Sequence, residues 1–251
     1  MAFTIVVEPV EAKATVSYLK LGTGGDITKN YHLYKSLPKT SLTKKVLMVS
    51  KKGTPVVKFG GGKGPKTIII AGVHGNELSS QSSAIKLINY LNKKKKIKGT
   101  IYVIPFFVPK SSQKNTRYFK GKDLNSLAEN KKSTTYKLIK YIKSKKVSIA
   151  GDFHTTVTNG DPGKTIVMGS KSPSPISGNI SIYISKKTKY PYRNYNYAGE
   201  AYVGAIEDAL NKINISSVTC EVNVKDGKTS KSSITASYKM MIALLKFSKN
   251  I

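Results

Sequence analysis

The chain contains no tryptophan, one cysteine and, at Arg117 and Arg193, only two arginines in 251 residues. The single cysteine, Cys220, excludes an internal disulfide framework and any metal site built from several thiolates. With arginine so rare, lysine carries nearly all of a formal charge of +30. Specific readers of nucleic acid favour arginine for its bidentate contacts. The charge therefore reads as a solvated basic surface that attracts acidic partners, an anionic polymer among them, and specific nucleic-acid binding is not expected. No run approaches the roughly 18 apolar residues of a membrane-spanning helix, and the opening Met1–Glu8 lacks the basic start and long apolar stretch of a leader. The compartment stays open: extracellular or cell wall if a leader has been removed, cytoplasmic otherwise. Acidic residues number thirteen and histidines three, so each one at the end of a buried strand carries information.

Hydrophobic residues make up 39% and charged residues 22% of the chain, which is the balance of a folded globular protein and not of a disordered or fibrous one. The length suits one sizeable α/β domain. Residues 1–64 read as an N-terminal extension that contributes strands to that domain. Within it, Gly22-Thr23-Gly24-Gly25 and Gly60-Gly61-Gly62 flank Val46-Leu47-Met48-Val49, a short apolar run that reads as a strand. Residues 65–251 read as the core. From Thr67, apolar runs bounded by turns alternate with helical periodicity: 67–73, 82–91, 99–107, 134–144 and 147–153. Such alternation predicts βαβ units, hence an α/β fold with a mixed, mainly parallel β-sheet flanked by helices. Further strands are expected at 165–169 and 216–222, and helices near 199–212 and 232–248. There is no internal repeat.

Three of the strand-like runs end in chemistry. The first leads into His74-Gly75-Asn76-Glu77, an imidazole and a carboxylate three residues apart at a strand's C-terminal edge, where open α/β sheets place their ligands. Such a pair can hold a zinc ion if a third ligand arrives from elsewhere, leaving a position for water. Alone it is also what a capping glutamate beside a loop histidine looks like. The run 147–153 ends in His154, which supplies that third ligand, whereas His32 lies in a polar segment with no partner pattern. The run 216–220 ends in Glu221, an acid that must be paired, solvated or functional at the edge of a buried strand.

The order Gly-Val-His-Gly-Asn-Glu (72–77), Asn-Thr-Arg-Tyr (115–118), Lys-Asp-Leu-Asn (122–125), Asp-Phe-His-Thr-Thr (152–156) and Glu-Val (221–222) resembles the zinc carboxypeptidase superfamily, in particular its succinylglutamate desuccinylase/aspartoacylase branch. The resemblance implies a zinc carboxypeptidase-like fold and hydrolysis of an amide or peptide bond by a metal-activated water. It implies Zn²⁺ held by His74, Glu77 and His154, with Glu221 as general base and Arg117 as the group that polarises the scissile carbonyl. By the same resemblance Asn125 binds substrate and Asp123 orients His74.

The sequence also departs from that pattern. Ser126 stands where the family usually has an arginine that grips a substrate carboxylate, and only 30 residues follow Glu221, too few for the extra β-domain of aspartoacylases. The segment 190–197 lies where carboxypeptidases carry a mobile tyrosine loop, which makes Tyr195 and Tyr197 candidate substrate contacts, and the scarcity of arginine alone makes Arg193 a candidate substitute clamp. The expected substrate is a peptide, such as a wall peptide in an anionic polymer. An N-acyl amino acid deacylase and a wall- or polyanion-binding protein with a silent metal site are the alternatives.

Overall fold

A computed structural model describes residues 14–251, so the first thirteen residues of the 1–64 segment, including the opening Met1–Glu8, lie outside the described residues. The strands are β1 (Thr15–Leu19), β2 (Thr54–Gly60), β3 (Lys66–Ala71), β4 (Thr100–Ile104), β5 (Ile149–Thr156), β6 (Ile166–Ser170), β7 (Tyr192–Tyr195) and β8 (Ser216–Asn223). The helices are α1 (Tyr31–Ser36), α2 (Ser41–Ser50), α3 (Leu78–Leu91), α4 (Pro109–Lys114), α5 (Thr134–Ser144), α6 (Pro175–Thr188), α7 (Ile206–Lys212) and α8 (Lys231–Phe247). The strands form one sheet in the order β1-β2-β4-β3-β5-β8-β6-β7. Its centre, β4-β3-β5-β8, is parallel, and antiparallel pairing enters through β2 on one side and β6 on the other. This is the mixed, mainly parallel α/β sheet that the alternating pattern predicts.

The central strands are apolar on both faces because both are covered. On β3, Ile69 and Ala71 pack into one core with Leu78, Ile85 and Ile88 of α3 and Met240 and Leu244 of α8. Ile68 and Ile70 face the other way, against Leu138 and Ile142 of α5 and Ile206 and Leu210 of α7. Each of these side chains is fully buried, and each isoleucine, leucine and methionine among them stabilises the fold by roughly 1.5–3 kcal/mol before chain entropy is counted.

The run 46–49 is not a strand. It lies inside α2, whose start is capped by the Thr40 side chain accepting from the Thr43 amide. Thr43, Val46, Leu47 and Ser50 are buried while Met48 is 68% exposed. That i, i+3, i+4, i+7 stripe is helical, and four apolar residues read without their polar neighbours conceal it. The helix expected over 199–212 is confined to Ile206–Lys212, because Gly199 and Gly204 hold positive φ angles in the turns before it. Part of the segment 190–197 is the edge strand β7 and not a loop.

Candidate metal and catalytic site

The chain leaves β3 through α3 to β4 on one side and reaches β5 on the other, so a crevice opens at the carboxyl ends of β3 and β5. Open α/β sheets bind ligands at such switch points. Gly72, at φ +73°, turns the chain off β3. Gly75 then passes so close to α4 that a Cβ there would lie 2.0 Å from the Ser111 carbonyl carbon, while its amide donates to the Thr116 carbonyl oxygen at 2.9 Å. Only glycine fits, and the approach sets the loop carrying His74 beside the segment carrying Arg117.

Three buried side chains meet in this crevice. His74 Nδ1 lies 2.6 Å from Glu77 Oε1, and His154 Nδ1 lies 2.8 Å from Glu77 Oε2. Glu77 occupies the N-cap position of α3 yet makes no cap bond, because its carboxylate is turned to the two histidines. The capping reading of Glu77 thus fails. One donor atom from each of the three residues lies within 4.8 Å of the others, a spread from which they can close on one ion. The distal nitrogens face carboxylates: His74 Nε2 is 2.8 Å from Asp123 Oδ1, and His154 Nε2 is 3.0 Å from Asp152 Oδ2. Asp123 holds His74 as acids hold metal-ligating histidines, with the far nitrogen protonated and the near one free to bind, whereas His154 Nε2 and Asp152 Oδ2 are close without forming a hydrogen bond. Two imidazole nitrogens and a carboxylate form the donor set of an open zinc site.

Glu221 sits directly across from His154 in the β5–β8 register. Its Oε2 is shielded from solvent and has no hydrogen-bond partner. Burial pushes its pKa up to about 8, with the histidines pulling the other way. Burial opposes charging His74 and His154, but Glu77 and Asp123 for the first and Asp152 and Glu77 for the second outweigh it, and both pKa values stand above the ordinary range. Burial likewise opposes the charge on Glu77, and the two histidines overcome it and hold the carboxylate well below its ordinary value. The cluster stores a net pull on protons that a cation would replace.

Arg117 donates from Nε to Asp123 Oδ2 at 2.9 Å, with one terminal nitrogen 3.5 Å from Glu77 Oε1. Asp123 thereby does several jobs, since Oδ1 also accepts from the Asn125 amide at 2.9 Å and caps the short turn Leu124–Ser126. A cavity of about 290 Å³ joins His74, Glu77, Arg117, Asn125, His154 and Glu221. Arg193, Tyr195 and Tyr197 are not in its wall. Arg193 instead contacts the Tyr195 hydroxyl at 3.4 Å, and Tyr197 is 57% exposed. The tyrosine that lines the cavity is Tyr202, whose hydroxyl donates to Asp161 Oδ2 at 2.8 Å. Sequence reasoning misses Tyr202 and Asp161, which lie in turns with no periodic signal. It also misses Asp152, although Asp-Phe-His on a strand places the acid and the histidine on one face.

Residues 63–248 match the profile of the succinylglutamate desuccinylase/aspartoacylase catalytic domain. Among solved structures, the fold is similar to an aspartoacylase family protein from Mesorhizobium loti, at 17% identity and TM-score 0.64 over 98% of this chain and 70% of that one. It is also similar to a metallo-carboxypeptidase from Burkholderia cenocepacia, at 14% identity and TM-score 0.62 over 94% of this chain and 65% of the other. A third likeness is to the tripeptide-bound cell shape determinant protein Csd4 from Helicobacter pylori, at 13% identity and TM-score 0.60 over 78% of this chain and 55% of that one. Among proteins of curated function, none matches the sequence. With the profile covering most of the chain and a buried His-Glu-His donor set at its sheet edge, the chain belongs to the zinc-dependent succinylglutamate desuccinylase/aspartoacylase family of hydrolases.

Proposed function

We propose that this chain hydrolyses an amide bond within a peptide, with His74, Glu77 and His154 holding zinc and Glu221 as the general base. The observation that carries the reading is the convergence of both Nδ1 atoms on Glu77, with Glu221 in register beside His154. Held by these three residues, zinc would supply a Lewis acid able to lower the pKa of an attacking water towards about 7. Glu221 takes the proton of the attacking water and returns it to the leaving amine. Arg117 stands at the cavity wall with its charge available to the carbonyl oxygen as negative charge develops. Asp123 orients both His74 and Arg117, and Asn125 stands in the cavity wall as a substrate contact.

A peptide is favoured over a small N-acyl acidic amino acid because the clamp for a carboxylate is missing. Ser126 is spent on the Asp123 carbonyl, and Arg117 is the only arginine or lysine in the cavity wall among the described residues. Wall peptides fit this reading, which the tripeptide-bound relative also supports. The deacylase remains the second reading because the family profile itself bears that name. Zinc-loaded protein, incubated with digested wall peptides and with N-acyl acidic amino acids, separates the two by mass spectrometry of the products. Faster turnover of the small acids than of any peptide would overturn the peptide reading. Amidating the C-terminus of a cleaved peptide is expected to change kcat/KM by less than about tenfold, or roughly 1.4 kcal/mol. A loss of about a thousandfold would reveal a carboxylate clamp.

A further inference from the structure

The chain carries 43 basic residues against 13 acidic ones, and beside the active site part of that excess is gathered in a groove. Two cavities, of about 720 Å³ and about 260 Å³, meet at Phe119 and Lys120, which line both. Their walls hold six lysines, Lys110, Lys114, Lys120, Lys122, Lys132 and Lys137, and among the described residues no aspartate, glutamate or arginine. Lys51 and Lys212 elsewhere on the surface are paired with acids, whereas among the described residues none of these six is.

The groove follows the strip of chain that builds the active site. Thr116 and Leu124 line it, while their chain neighbours Arg117 and Asn125 line the site cavity. Between them the chain turns back on itself, with Phe119 and Lys122 exchanging amide-to-carbonyl hydrogen bonds of 3.0 and 3.1 Å. A ligand that meets lysines in both cavities must be long and repeatedly charged, and it runs alongside the site without filling it.

The residue types narrow the ligand further. Lysine meets phosphate as a point charge, whereas the planar fork that pairs with carboxylates belongs to arginine, which the groove lacks. Single-stranded nucleic acid would also call for aromatic platforms under its bases. Phe119 is buried beneath the Lys120 ammonium, 5.5 Å from its ring centre, which leaves Tyr118 as the exposed aromatic of the wall.

We propose that this groove docks a linear phosphodiester polymer without bases, held by charge density and not by a fixed geometry. That such a polymer bears the peptide to be cut rests on the hydrolase reading; docking itself needs no turnover.

The test is calorimetric titration of the zinc-loaded full-length protein with a synthetic poly(glycerol phosphate), beside polyglutamate and a uridine homopolymer of matched charge. The glycerol polymer is expected to bind most tightly of the three, with affinity falling steeply as salt rises. Lys120→Glu/Lys137→Glu is expected to weaken it by about tenfold or more. Lys44→Glu/Lys45→Glu makes the same change of charge at exposed positions of α2, which packs on the opposite face of the sheet, and is expected to weaken it by about threefold or less. The milder Lys120→Gln/Lys137→Gln pair should fall between the two, and thermal melts check that each variant is folded. Equal weakening by the two glutamate pairs would assign binding to the overall surface charge and overturn the proposal, as would no weakening in the groove pair. Equal or tighter binding of the uridine polymer or of polyglutamate would overturn the choice of ligand. Docking lost in the groove pair with no hydrolysis of any peptide by the wild type supports the groove and counts against the hydrolase reading alone.

Discussion

At the scale of single residues, the account divides the site into groups that hold the metal and groups that move charge. Replacing Glu221 with glutamine removes the base and leaves the three donors in place. Zinc content is expected to stay at the wild-type level while kcat falls by about a thousandfold or more. Near-normal turnover in that variant would transfer the base role to another residue. Arg117→Ala is expected to lower kcat by about a hundredfold, with a smaller change in KM, if its charge acts on the developing oxyanion. The ligand triad was legible in the sequence because two of only three histidines follow strand-like runs, and the resemblance supplied Asp123. Asp161 and Tyr202 were not legible, since a turn residue aimed into a cavity leaves no periodic trace. Arg193 was named for its scarcity alone, and the edge strand β7 leaves it outside the cavity wall.

At the scale of elements, the site depends on how the β3–α3 loop meets α4. Gly75→Ala would force a Cβ to within 2.0 Å of backbone, so the loop or α4 must move. A loss of about 2–3 kcal/mol in unfolding free energy is expected, together with weaker zinc binding as His74 shifts. Thr40→Ala is the contrasting case, because removing the α2 cap should cost about 1 kcal/mol and leave zinc affinity unchanged. Thermal melts and zinc titrations on the two variants check this division. Equal effects on zinc would show that the metal site senses global stability alone. The parallel core was readable because β3 and β4 are nearly continuous apolar runs with turns at their ends, while β5 and β8 mix apolar residues with the polar ones that reach the site. The N-terminal elements were less so. In α2 the buried stripe includes Thr43 and Ser50, polar residues that a hydrophobic pattern skips. The buried face of α6 is built from Ser177, Gly178, Ile180, Ser181 and Ile184, too small and polar to register as a helical stripe.

For the whole molecule, the proton affinity of the cluster links stability to pH. His74 and His154 have folded pKa values above their ordinary 6.5. Their contribution to the metal-free fold is complete below that value and is lost as pH rises through the folded values. Glu221, raised from 4.5 to about 8, acts in the same direction, because its neutral form suits the fold. Glu77, which is depressed, adds stability above 4.5 and loses it only in acid. The metal-free protein is therefore expected to melt at progressively lower temperature from about pH 5 to about pH 9. Zinc needs unprotonated ligands, so its stabilising effect should grow over the same range. Calorimetric melts with and without zinc check both slopes, and parallel curves would separate the metal from these histidines. The most direct test of the central claim is elemental analysis of the purified protein beside its His154→Ala variant. The account predicts about one zinc per wild-type chain and loss of most of it in the variant, as for a site of three protein donors deprived of one. Full zinc occupancy in His154→Ala would contradict it.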